Sequence, residues 1–84
     1  MNPRSEFRQR VLSGRSDANI RFDDLRLFLL RLGFVERTRG SHHIFRKEGV
    51  RERVTLQRDG NHAKPYQVRQ VRLVLLKYEL GEVE

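Results

Sequence analysis

The large apolar residues Phe22, Leu25, Phe28, Leu29 and Leu32 recur every three or four positions. At 100° per residue they fall within about 120° of arc, which predicts an amphipathic helix from Phe22 to Leu32. Asp23 and Asp24 suit its positive N-terminal end, and Gly33 suits its C-terminal cap. A second stripe, Val68, Val71, Leu75 and Tyr78 with Val74 at its edge, predicts another helix that opens at Lys64-Pro65 and runs to about Leu80.

Between the two helices the pattern becomes strand-like. Phe34 to Thr38, His42 to Lys47 and Arg53 to Gln57 are short runs separated by Arg39-Gly40-Ser41 and by Glu48-Gly49-Val50, which predicts an antiparallel meander of three strands. Alternation is clean in the last run, where Val54 and Leu56 face one side and Arg53, Thr55 and Gln57 the other. Asp59-Gly60-Asn61 then opens a loop that contains His62.

At the start, Asn2-Pro3 reads as an N-cap with proline at the first helical position, so a short helix is expected from Pro3 to about Leu12, ending at Ser13-Gly14. Its large apolar residues are Phe7, Val11 and Leu12, too few for it to stand alone. Leu27 and Leu30 on one long helix, and Leu73 and Leu76 on the other, fall off the main stripes. They are expected to pack under the N-terminal helix, a partner surface being the alternative.

These elements predict a two-layer α+β fold, with a three-stranded antiparallel sheet, two helices on one face, and an extra N-terminal helix. The organisation expected is an extension over residues 1–21 and a domain over residues 22–80. The free face of the sheet is where function belongs.

Charge sharpens this picture. Eighteen basic residues against eleven acidic give a net +7, and fifteen of the eighteen are arginine. Guanidinium forks match phosphate and carboxylate geometry, so a nucleic acid or an acidic protein is the expected partner. The absence of cysteine rules out a disulfide framework and fits a cytoplasmic protein. No apolar run is long enough to cross a bilayer.

Two of the three histidines are adjacent, in Arg39-Gly40-Ser41-His42-His43-Ile44-Phe45. Neighbours on a strand point to opposite faces, so His42 and His43 cannot ligate one metal ion as a pair. Without cysteine and with only His62 remaining, no metal or other cofactor is expected. If Phe45 faces the helices, His43 shares its side, while His42, Arg46 and, less comfortably, Ile44 take the open face.

Gly33-Phe34, the Gly40-Ser41-His42-His43 run with an aromatic just after it, a third strand, the His62 loop and Lys64-Pro65 opening an arginine-bearing last helix together resemble the HicA toxins of bacterial type II toxin–antitoxin systems. The resemblance spans about Phe22 to Leu80, and Met1 to Arg21 has no counterpart in compact members of that family. It implies a fold like that of double-stranded-RNA-binding domains, ribosome-independent cleavage of messenger RNA, and neutralisation by a HicB-type antitoxin. It also implies that His42, preceded by Gly40 and Ser41, is the catalytic histidine, in agreement with the face assignment.

An imidazole can take the proton of an RNA 2′-hydroxyl and so let that oxygen attack the adjacent phosphorus without metal. Arg37, Arg39, Arg46 and Lys47 lie near His42 in sequence and are candidates to hold phosphate. Lys64 and the free amides after Pro65 offer a second anion site, and His62 is a candidate acid for the leaving group. Alone, the chain is expected to be a monomer. The competing readings are a non-catalytic binder of structured RNA and a module for an acidic protein partner.

Overall fold

The computed structural model describes residues 3–82. In chain order they form α1 (Pro3–Ser13), a 3-10 turn (Asp17–Asn19), α2 (Phe22–Arg31), β1 (Val35–Arg39), β2 (His42–Arg46), β3 (Val54–Leu56), β4 (Arg58–Asp59), β5 (His62–Ala63) and α3 (Pro65–Tyr78). The expected helices and the three-strand meander are present, with ends shifted by a residue or two. Asn2, the expected N-cap, lies outside the described residues.

β1, β2 and β3 pair antiparallel in that order. Glu36 stands opposite Phe45 and Phe45 opposite Val54, while Thr38 stands opposite His43 and His43 opposite Leu56. Phe45, Val54 and Leu56 are fully buried, so this face is the one the helices cover. Phe22, Leu25, Phe28 and Leu29 of α2 share one core with Val68, Val71, Val74 and Leu75 of α3. The apolar stripes read from the sequence are thus the surfaces that meet the sheet.

The N-terminal segment is bound into the same core. Val11 and Ile20 are fully buried within it, and the Phe7 ring packs on Phe28 with centroids 5.1 Å apart. Polar contacts fix its direction: Arg8 donates to the Leu80 carbonyl at 2.8 Å, and Arg72 donates to the Val11 carbonyl at 3.1 Å. The same guanidinium grips Asp17 with two bonds, of 2.9 and 3.1 Å. Asp17 is therefore half of a largely buried ion pair.

Two expectations are corrected. Of the four leftover leucines only Leu30 packs against the core; Leu27, Leu73 and Leu76 are exposed. The reason is that α1 carries few large side chains and docks with Phe7 and Val11 on the neighbouring side of the helix layer, leaving those three uncovered. The segment around Asp59-Gly60-Asn61 is not an open loop but the turn of a small hairpin, β4–β5. That hairpin seats the start of α2 through Phe22 N–H donating to the Asn61 carbonyl at 3.0 Å, and Ala63 N–H donates to the Ile20 carbonyl at 2.9 Å. Glu52 accepts from Tyr78 Oη at 2.6 Å and Lys77 Nζ at 2.8 Å and so ties the β2–β3 connection to the end of α3. No helix among the described residues is long and apolar enough to cross a membrane.

Candidate functional site

With one sheet face occupied by the core, every other residue of each strand faces outward. Arg39 pairs with His42, Arg37 with Ile44, and Val35 with Arg46; Ile44 in turn pairs with Thr55. The same register carried one residue further at each end of β3 sets Gln57 beside His42 and Arg53 beside Arg46. The open face is therefore an array of three rows: Arg39–His42–Gln57, Arg37–Ile44–Thr55 and Val35–Arg46–Arg53. None of these nine positions is acidic.

His42 and His43 have opposite fates. His43 faces the helices, its ring edge-on to Phe22 with centroids 4.8 Å apart, and its Nδ1 lies 2.8 Å from Glu36 Oε2. An ionised carboxylate only accepts, so His43 donates through Nδ1. Glu36 is held from its other side by Arg26, whose Nε lies 2.9 Å from both carboxylate oxygens. The Arg26 bond, aided by His43, keeps the Glu36 carboxyl below its ordinary range, and the Arg26 guanidinium is correspondingly raised. His42, by contrast, is exposed on the open face.

The turn before His42 has the pattern of a two-residue hairpin loop with glycine first. Gly40 has φ +60 and Ser41 does not share a positive φ, as a type II′ turn requires. Such a turn matches the natural twist of the flanking strands and fixes the register that sets Arg39 opposite His42. Cβ atoms of such a pair lie about 4.5–5.5 Å apart.

A polar bridge joins this end of the sheet to α3. Gln57 Nε2 donates to Ser41 Oγ at 3.4 Å, Lys64 Nζ donates to Gln57 Oε1 at 3.5 Å, and Gln57 N–H donates to Gln67 Oε1 at 2.8 Å. Gln67 is buried, so α3 is keyed to the sheet next to the histidine. Ser41 and Lys64, far apart in sequence, are thus linked through Gln57 beside His42.

The structure also separates residues that the sequence sets close. Arg46 is four positions from His42 along β2, about 13 Å at the usual rise, and belongs to the far row. Lys47 lies beyond it, with its ammonium over the Gly33 turn, where a β-carbon would come within 3.0 Å of the nitrogen. His62 stands in β5, bridged to Arg21 rather than paired with the main sheet. At the expected anion site at the start of α3, the Gln67 amide already donates to the Lys64 carbonyl at 2.9 Å, which leaves Tyr66 as the free amide after Pro65.

Sequence reasoning did not single out Arg53, Gln57 or Glu36. The first two were within reach, since strand parity combined with a meander register aligns them with Arg46 and His42. Glu36 was not, because its role depends on Arg26 arriving from α2. Among the described residues no three His, Cys, Asp or Glu side chains gather where they would hold a metal ion.

The order α-β-β-β-α, in two layers with an outward imidazole on an acid-free, arginine-rich sheet face, defines a small α+β domain with a basic open face. Residues 22–78, well over half of the 84, match the HicA toxin family of bacterial toxin–antitoxin systems, and the chain belongs to that family. Searches of curated proteins and of solved structures give no match.

Proposed function

We propose that this protein is the toxin of a toxin–antitoxin pair and acts by cutting messenger RNA without metal, with His42 as general base. The observation that carries the reading is the division of labour in the histidine pair. His43 is engaged by Glu36 on the core side, while His42 stands outward beside Arg39.

In this reaction His42 takes the proton of a 2′-hydroxyl, the O2′–P bond forms, and the P–O5′ bond breaks. The 5′-oxygen leaves with a proton given by water or by His62, and a 2′,3′-cyclic phosphate remains. One positioned acid–base group contributes about 10²–10⁴-fold. Arg39, and Lys64 through its link to Gln57, would stabilise charge gathering on the phosphoryl oxygens. Ser41 and Gln57 hold the turn that presents the imidazole. His62, the side-chain candidate for leaving-group acid, stands on a separate hairpin.

The remaining parts of the reading are a cytoplasmic monomer with no cofactor and a HicB-type antitoxin as neutralising partner. Its domain is residues 22–80, with residues 1–21 as an extension that braces the helix layer. End-group analysis tests the chemistry. Cleaved RNA should carry a 2′,3′-cyclic phosphate upstream and a free 5′-hydroxyl downstream, and RNA with 2′-deoxy residues throughout should resist. A 5′-phosphate on the downstream product, or cutting of the deoxy substrate, contradicts a 2′-hydroxyl nucleophile.

A further inference from the structure

The basic sheet face extends well past His42. A concavity of about 380 Å³ runs from Arg39, the strand partner of His42, across the middle and far rows, where Val35, Arg37, Ile44, Arg46 and Arg53 line it. Its floor is apolar: Ile44 is half-buried at its centre, and Val35 at its edge is 68% exposed. Arg37, Arg46 and Arg53 make no ion pair among the described residues, whereas Arg26, Arg58 and Arg72 each hold a carboxylate. Like charges gathered without a counter-charge raise the local potential and favour an anionic occupant.

We propose that this concavity is an anchoring subsite for single-stranded RNA. Arg37, Arg46 and Arg53 hold phosphates, and an unstacked base lies on Ile44 and Val35 between the guanidinium planes. A single strand is the occupant that suits both features, because its bases are free to leave the stack and meet an apolar surface flanked by arginine. A duplex presents phosphates but no free base face. That the anchored strand continues to the cutting point rests on the reading of His42 given above; the binding itself does not.

Geometry sets the reach. Arg46 stands about 13 Å from His42 along β2. A stacked strand advances about 3.4 Å per nucleotide, so the anchor lies at most about four nucleotides from the scissile bond. RNA truncated within that span on the anchored side should be cut poorly, while the same truncation on the other side should matter little.

The binding test uses the full chain and a labelled 2′-O-methyl RNA, which lacks the nucleophile, read by fluorescence anisotropy across a salt series. Single-stranded RNA should bind more tightly than the same sequence as a duplex. The double variant Arg46→Ala/Arg53→Ala should bind it at least about tenfold more weakly, with a log–log salt slope shallower by about 1.4, that is about 0.7 for each of two lost phosphate contacts. Ile44→Ala should weaken binding with the slope unchanged, the mark of a lost apolar contact. Circular dichroism should show each variant folded, since Arg46 and Arg53 are exposed.

Unchanged affinity and slope in the double variant, equal affinity for duplex, or displacement of the RNA by polyglutamate at matched charge would overturn the proposal. Cleavage separates the subsite from the catalytic reading. Loss of cutting in His42→Ala with normal binding in the double variant rejects the subsite alone. Continued cutting by His42→Ala with weakened binding in the double variant rejects the base alone.

Discussion

Glu36→Ala removes the carboxylate that joins Arg26 to His43. The side chain is only 12% exposed, so its partners lose a bond that water replaces incompletely. Arg26, at 42% exposed, is rehydrated readily and loses well under 1 kcal/mol by the standard of surface pairs. His43, at 20% exposed, is left with an unpartnered Nδ1–H, for which a buried donor costs about 1–3 kcal/mol. The sum is about 2 kcal/mol. A domain of this size holds about 4–13 kcal/mol in all, so the variant should still fold at room temperature. Its Tm should fall by about 8–16 °C, at about 4–8 °C per kcal/mol.

The pH dependence gives a second, independent reading. Glu36 titrates below its ordinary value when folded, because Arg26 and then His43 bond its ionised form. The stabilisation is therefore fully present above the ordinary carboxylate pKa and is lost as pH falls through the lower folded value. Denaturation of wild type and Glu36→Ala, followed by circular dichroism from neutral pH downward, should show the two converging in acid. Cutting of RNA at a temperature where both are folded should differ by no more than a few-fold, because Glu36 and His42 face opposite sides of the sheet. A stability loss below about 0.5 kcal/mol, the smallest cost expected of a lost hydrogen bond, would refute this account of the link. Abolition of cutting in the folded variant would refute the separation of the two faces.

Asp17→Asn should lower stability by about 2 kcal/mol, less than the ~3–5 of a fully buried broken pair because Arg72 keeps the Val11 carbonyl; urea denaturation should show a lower midpoint at unchanged slope. Gly40→Ala has open space for its β-carbon, so its cost is the positive-φ backbone alone, about 1–3 kcal/mol, read as a fall in Tm. The Glu52 carboxyl should titrate at about 2 by carbon-13 NMR. Lys77→Met should raise that value more than Tyr78→Phe does, since the Lys77 bond is the larger cause.

Much of the fold is legible because its signals are local. The stripes of α2 and α3, the Gly40-Ser41 turn and the parity of Val54 and Leu56 each lie within a few residues, and they suffice to put His42 outside and His43 inside. What escapes is what distance along the chain hides. Asp17 meets Arg72 across 55 positions, and Ser41 meets Lys64 only through Gln57. Strands of two residues, as in β4 and β5, are too short for a period to register. Nearness in sequence misleads in the opposite way for Arg46 and Lys47, because an extended strand carries each residue about 3.3 Å further from His42. The exposed leucines escape for a third reason: a helical period shows which face is apolar but not whether α1 is broad enough to cover it.

The most direct test of the central claim is cutting of a labelled messenger RNA by wild type, His42→Ala and His43→Ala, each verified as folded, with and without EDTA. His42→Ala alone should abolish cutting, His43→Ala should lower stability while cutting persists, and EDTA should change nothing. Cutting by His42→Ala at the wild-type rate would contradict that claim.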